Sequence, residues 1–282
     1  MESRIYDAFE IPPESEWDKH LESELFKKMS IDSNQFDIGD YDLDEFAFEG
    51  GVKSCINQHN EKVGTLIVSY ILCRHYYDKG IPDDPWYESP GKDGQSIEYM
   101  PNFTSQDLLV RYWFSYFYEY VYFKIFSIWD SIYVFINDYY QMGHEQKSGF
   151  NRKVTESLKE HRSDICDLFT NISKEYLYKE ANKYRNRIIH GTSLNGVTSG
   201  FQMKKNYKGK MPVMNKEGQY EINEGKIKME ERNVTFKLSD NLGEYIKCET
   251  IMNNIDQFCI FTGDKIEEVI NLIKKDKYKI RA

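Results

Sequence analysis

Apolar residues recur at steps of three and four through the middle of the chain. Val110, Phe114, Phe117, Val121, Ile125, Ile128, Ile132, Phe135 and Tyr139 form the clearest series. Such spacing puts side chains on one face of a helix, so it predicts a buried stripe from about Ser105 to Met142, ended by Gly143. Upstream, Val63, Leu66, Ile67, Tyr70, Ile71 and Tyr77 predict a helix from about Cys55 to Asp78 that stops at Gly80. Residues 80–102 hold Pro82, Pro85, Pro90, Gly91 and Gly94 and read as a loop. A third helix is predicted near Arg152 to Phe169, on Val154, Leu158, Ile165 and Leu168. A fourth opens with Ser173 as N-cap and runs to His190 before Gly191. A last one, Glu249 to Lys275, carries Ile251, Ile255, Ile266, Val269, Ile270 and Ile273.

Between 192 and 242 the pattern changes. Gly, Asn and Lys become frequent, and short alternating runs (Gln219 to Ile222, Lys226 to Met229, Val234 to Leu238) predict a small β-hairpin or meander. The fold class is therefore mainly α, a helical bundle with a β insertion near 192–242. The first 50 residues differ again: Pro12-Pro13, an acidic run from Asp37 to Glu49, then Gly50-Gly51, with a short helix around Trp17 to Met29. They read as an acidic N-terminal arm over 1–54, appended to a helical domain over 55–282.

Composition sharpens this picture in three places. The most apolar stretch, Val110 to Tyr140, contains Arg111, Glu119, Lys124, Asp130 and Asp138, so it is a core helix and not a bilayer span. Residues 1–24 show neither a basic nor an apolar targeting region, which points to a cytoplasmic protein without a membrane partner. Five scattered cysteines, with no C-x-x-C pair, predict neither a disulfide framework nor a thiolate metal site. The net charge of −9 conceals an uneven distribution. Residues 1–50 hold 15 Asp and Glu against 4 Lys and Arg, while residues 147–190 hold ten Lys and Arg against six acids. A polyanion is thus accommodated locally.

The chemistry concentrates on the fourth predicted helix. At 100° per residue, Leu177, Ala181, Tyr184 and Ile188 share a 60° arc. Asn186 and His190, four residues apart, lie almost opposite, together with Lys179 and Lys183. Arg185 and Arg187 occupy the two shoulders. A solvated helix end explains Arg187 and His190, because cations complement the C-terminal dipole. It does not explain Asn186 one turn before His190 on the same face. Other histidines are weaker candidates. His144 and His161 read as solvated or packed side chains, and His59 and His75 lack a metal-ligand spacing.

The segment Arg185-Asn186-Arg187-Ile188-Ile189-His190 resembles the signature of the HEPN superfamily, Arg-X(4–6)-His, most often written Arg-Asn-x-x-x-His. Requiring Asn directly after Arg at this one spacing leaves about 0.01 chance matches in a chain of this composition. The resemblance covers roughly residues 55–190 and takes in the aromatic helix upstream. The arm and the β-rich stretch lie outside the superfamily's common core. The resemblance implies a metal-independent endoribonuclease without cofactor, in a prokaryotic toxin or defence setting. It assigns Arg185, Asn186 and His190 as catalytic, with Lys179, Lys183 and Arg187 as contacts to the RNA backbone. It also implies a homodimer that brings two motifs together, and an antitoxin or regulatory protein as a further partner. The competing implication is a non-catalytic HEPN-like module that binds a nucleotide or a protein.

Overall fold

The computed structural model describes residues 5, 9–21, 23–36, 43–84, 87–90, 95–99, 103–191, 193–195, 201–215, 219–223, 225–240 and 245–275. The chain divides into two units. The first comprises Met1–Ile81, Leu109–Leu194 and Cys248–Ala282, and the second Pro82–Leu108 and Asn195–Lys247. The protein is mainly α, as the sequence predicts.

The helical unit carries α1 (Glu14–Leu21), α2 (Glu24–Lys27), a 3-10 turn (Ser33–Phe36), α3 (Leu43–Asp78) and α4 (Ser105–Tyr139), which enters the unit at Leu109. It continues with α5 (Phe150–His161), α6 (Ser163–Ile172), α7 (Tyr176–His190) and α8 (Cys248–Lys274). Every residue of the predicted α4 stripe, from Val110 to Tyr139, is buried. So are the six aliphatic positions predicted for α8. Burial of such side chains is worth about 1.5–3 kcal/mol each and is the main force holding these helices together.

Three boundaries differ from the sequence reading. Helix α3 starts at Leu43 and runs straight through Gly50-Gly51, after which Val52 and Ile56 are buried. The predicted third helix is two helices, because Arg162 adopts φ −146°, ψ 72° between α5 and α6. Its guanidinium secures the break, bonding both carboxylate oxygens of Asp164, the Tyr140 hydroxyl (2.7 Å) and the Leu272 carbonyl (3.1 Å). Ser173, predicted as an N-cap, instead ends α6, and α7 opens after Glu175.

The arm over 1–54 does not stand apart from the bundle. Phe26, Met29, Ile31 and Phe36 are buried, and the unit that contains them is the helical one. Asn60 on α3 holds Ile31 by a reciprocal pair of hydrogen bonds, 2.9 Å to its N–H and 2.8 Å to its carbonyl. Helix α2 approaches α8 at Gly263, where a Cβ would come within 3.3 Å of Lys28 Cβ. A few apolar residues among many acids suffice for docking, because burial energy scales with area and not with average composition. Of the acidic run, residues 37–42 lie outside the described residues.

The second unit contains a four-stranded antiparallel sheet in the order β1-β2-β3-β6. Its strands are β1 (Tyr87–Pro90), β2 (Gln95–Tyr99), β3 (Phe201–Pro212) and β6 (Met229–Asp240), with β4 (Ile222–Asn223) and β5 (Lys226–Ile227) forming a separate pair. The hairpin predicted near 192–242 is present, though longer, because β3 and β6 pair over twelve residues, from Phe201↔Asp240 to Pro212↔Met229. The segment 80–102 is more than a loop: its two strands join the sheet through β2 and β3. Pro90 sits on the edge strand, where a missing N–H breaks no inner ladder.

Candidate functional site

Helix α7 buries Ala181 and Tyr184 and half-buries Leu177 and Ile188, the arc that the sequence assigned to the bundle. Tyr184 meets Tyr122 of α4 edge-on, with ring centroids 5.9 Å apart. Tyr178, on the same helix, lies edge-on to Phe126 and Trp129 of α4 and to Phe258 of α8.

A polar chain fixes α7 further. The buried Tyr122 hydroxyl donates to Asn254 Oδ1 at 2.7 Å, and Asn254 Nδ2 donates to Glu180 Oε2 at 3.0 Å. The other Glu180 oxygen accepts from Tyr176 (2.8 Å) and, at 3.4 Å, from Tyr184. One carboxylate therefore ties α7 to α8 and, through Asn254, to α4. Burial pushes the Tyr184 hydroxyl up to about 12, with the Glu180 charge acting in the same direction, so the phenol stays a donor. Sequence reasoning missed Glu180, Asn254 and Tyr122. The only local signal was Glu180 four residues from both Tyr176 and Tyr184, and Asn254 is more than seventy positions away.

The predicted site residues fall on the exposed side and the end of this anchored helix. Asn186 and His190 are exposed, and Lys179 and Lys183 project into solvent. Among the described residues the His190 side chain makes no hydrogen bond. Arg185 is half-buried, with its guanidinium carbon 5.3 Å from the Phe126 ring centre. Its Nη1 donates to Asn186 Oδ1 at 3.4 Å, so the structure brings Arg185 and Asn186 together. Arg187 is turned toward the chain that follows the helix, where its Nη2 donates to the Ser193 carbonyl at 3.5 Å. Arg187 thus has a role in the fold as well as a charge to offer.

That following segment is also held. The Gly191 N–H donates to the Arg187 carbonyl at 2.8 Å, and a Cβ at Gly191 would stand 3.0 Å from the same oxygen. Beyond it, Ser193 Oγ lies 2.6 Å from the Tyr118 hydroxyl and donates to Glu119 Oε1 at 2.9 Å. The Leu194 N–H donates to the Tyr118 hydroxyl at 2.9 Å, and the Leu194 side chain is fully buried. Burial raises the Glu119 carboxyl above the usual carboxylate range, against the opposing Ser193 hydrogen bond. The C-terminal end of α7 is therefore clamped on both sides of His190.

Three of the other histidines are committed to the fold, whereas His161, the last residue of α5, is exposed. His59 is fully buried between Ser131 Oγ (2.9 Å) and the Met29 carbonyl (2.7 Å). His144 bonds Ser157, and His75 bonds Glu16. Among the described residues no group of three or more His, Cys, Asp or Glu is placed to hold a metal. Nor is any described helix long and apolar enough to cross a membrane.

A helical unit that presents Arg, Asn and His on the exposed last turns of one anchored helix defines a class of helical module with a cationic, histidine-bearing helix end. The sequence model of the Cthe2314-like HEPN family matches residues 56–241, well over half of the chain, and the protein belongs to that family. The match runs through β6, so the sheet region is part of the family's domain and not foreign to it. No curated protein and no solved structure matches the chain.

Proposed function

We propose that this protein is a metal-independent endoribonuclease acting through Arg185, Asn186 and His190. The observation that carries the reading is the contrast on α7: a helix fixed by a buried polar chain presents an exposed His190 and an Arg185 already oriented by Phe126 and Asn186. Preorganised charge and an accessible proton-transfer group are what phosphodiester cleavage requires.

RNA supplies its own nucleophile. The 2′-hydroxyl attacks the adjacent phosphorus, the bond from phosphorus to the 5′-oxygen breaks, and a 2′,3′-cyclic phosphate forms. One group accepts the proton from the 2′-hydroxyl, and another gives a proton to the departing 5′-oxygen. Histidine side chains titrate in the range that permits both roles. The Arg185 guanidinium stabilises the charge growing on the phosphoryl oxygens, and Asn186 holds that guanidinium in place. Lys179, Lys183 and Arg187 add sequence-independent attraction for the backbone.

Each chain contributes one His190, so a homodimer with two α7 ends facing each other supplies the acid and the base. The family resemblance suggests a toxin or defence effector in the cytoplasm, held in check by an antitoxin or regulatory protein. The test is incubation of labelled RNA with the wild type, Arg185→Ala and His190→Ala in the presence of EDTA. We expect cleavage by the wild type alone, leaving cyclic phosphate ends. Binding without cleavage at any protein concentration would favour a non-catalytic module instead.

A further inference from the structure

Helix α4 has a second aromatic face besides its buried one. Tyr112, Tyr116, Tyr120 and Phe123 are 45%, 41%, 41% and 36% exposed. Their spacing of four, four and three residues sets them in one row along the helix, each about 4.5–6 Å beyond the last. Tyr116 and Tyr120 lie with ring centroids 4.8 Å apart and their hydroxyls 3.3 Å apart, and Phe123 meets Tyr120 edge-on at 6.5 Å. One turn further on is Phe126, the ring beneath the Arg185 guanidinium. The row thus leads directly to the motif helix.

We infer that this row is a stacking platform for the bases of single-stranded RNA, continuous with the phosphate-binding end of α7. The inference rests on the ribonuclease reading for its choice of RNA, and it adds where the bases lie and which form of RNA is accepted. Flat rings exposed at intervals and ending at a fixed cation match what an unpaired strand offers: π-faces at intervals and a charged backbone. A duplex keeps its base faces covered and has nothing to place there. A second protein copy is the poorer fit. Between Tyr112 and Phe123 this face holds four rings, three of them with polar tips, and no branched aliphatic side chain to interdigitate, unlike the buried face, where Val121, Ile125, Ile128 and Ile132 do so. Glu119, the acid within the row, is engaged by Ser193 Oγ and has its charge disfavoured by burial, which softens its repulsion of a phosphate.

The test uses the full-length protein and a fluorescent 2′-O-methyl oligouridine, which cannot be cleaved through its 2′-oxygen, alone and annealed to its complement. We expect the single strand to bind more tightly than the duplex. Tyr116→Ala and Tyr120→Ala should each weaken that binding about tenfold, the scale of losing one stacked base. Tyr116→Phe and Tyr120→Phe should bind as the wild type, because stacking needs the ring and not the hydroxyl. Tyr116→Leu should behave as the Ala variant, because it keeps apolar bulk but has no flat face. All these positions are exposed, so the core is undisturbed, and circular dichroism checks that each variant is folded. Equal affinity of the Ala variants and the wild type, retention of affinity by the Leu variant, or equal binding of duplex would overturn the platform. So would conversion of a dimer to a monomer by the Ala variants in sedimentation, which would give the row to a second copy. Cleavage of ordinary RNA is measured in parallel to separate the two readings. Row-dependent binding without cleavage removes the nuclease and keeps the platform, whereas cleavage with unchanged KM in the Ala variants removes the platform and keeps the nuclease.

Discussion

Asn254 on α8 donates its side-chain amide to Glu180 on α7 at 3.0 Å while accepting from the Tyr122 hydroxyl at 2.7 Å. One buried amide, 5% exposed, thereby sets the rotation of the helix that carries the motif. Replacing it with Leu keeps the volume and strips partners from a carboxylate and a phenol. Removing one member of such a buried network costs about 1–3 kcal/mol. Asn254→Leu is therefore expected to lower the denaturation midpoint, and Glu180→Gln, which retains one acceptor, to cost less. Urea unfolding of both variants measures this, and equal stability of Asn254→Leu and the wild type would refute the tie.

The proposed dimeric site has a distinct consequence. If each active centre needs an Arg185 from one chain and a His190 from the other, mixing Arg185→Ala with His190→Ala chains restores part of the activity. If Arg185 and Asn186 act only beside the His190 of their own chain, the mixture stays inactive. Each variant alone is expected to lose at least about a hundredfold in rate. Sedimentation gives the companion measurement. A strictly monomeric protein that cleaves at full rate would exclude a shared site.

Backbone contacts are read through salt. Lys179→Ala and Lys183→Ala should weaken RNA binding equally across sequences and reduce the slope of log K against log salt by about 0.7 each. Arg187→Ala should show the same change together with a lower thermal midpoint, because its guanidinium also bonds the Ser193 carbonyl. Loss confined to one RNA sequence would show base reading in place of phosphate contact.

The buried His59 predicts a pH dependence of stability. Its Nε2 faces the Met29 carbonyl, so in the neutral ring Nε2 carries the proton, while Nδ1 lies 2.9 Å from the Ser131 hydroxyl. Burial lowers its pKa from 6.5 to about 4. The unfolded chain therefore binds the proton more readily between those values. Stability is fully present above about pH 6.5 and falls as the pH drops toward 4, by about 3 kcal/mol in all. His59→Gln should be less stable at pH 7 and should show a shallower decline over that window. Parallel curves for the two proteins would show that His59 does not carry the effect.

Periodicity alone located α4 and α8, because a stripe nine-tenths or more buried leaves its spacing in the sequence wherever the helix is long. The motif on α7 was legible for the same reason. Asn186, His190 and the lysines are set by spacing within one helix, and their exposure follows once Ala181 and Tyr184 face the bundle. What lay beyond the sequence was everything decided between elements. The break at Arg162 depends on Tyr140 and Leu272, and no local propensity encodes those contacts. The acidic N-terminal segment reads as an arm by composition, yet Phe26 and Met29 find their cover only when α3 and α8 are side by side. Likewise the 80–102 segment gains its strands from β3, a partner a hundred residues later. The hold on α7 is of the same kind. Hydrogen-bond satisfaction is a property of three-dimensional neighbours, so Glu180, Asn254 and Tyr122 become one device only in the folded chain.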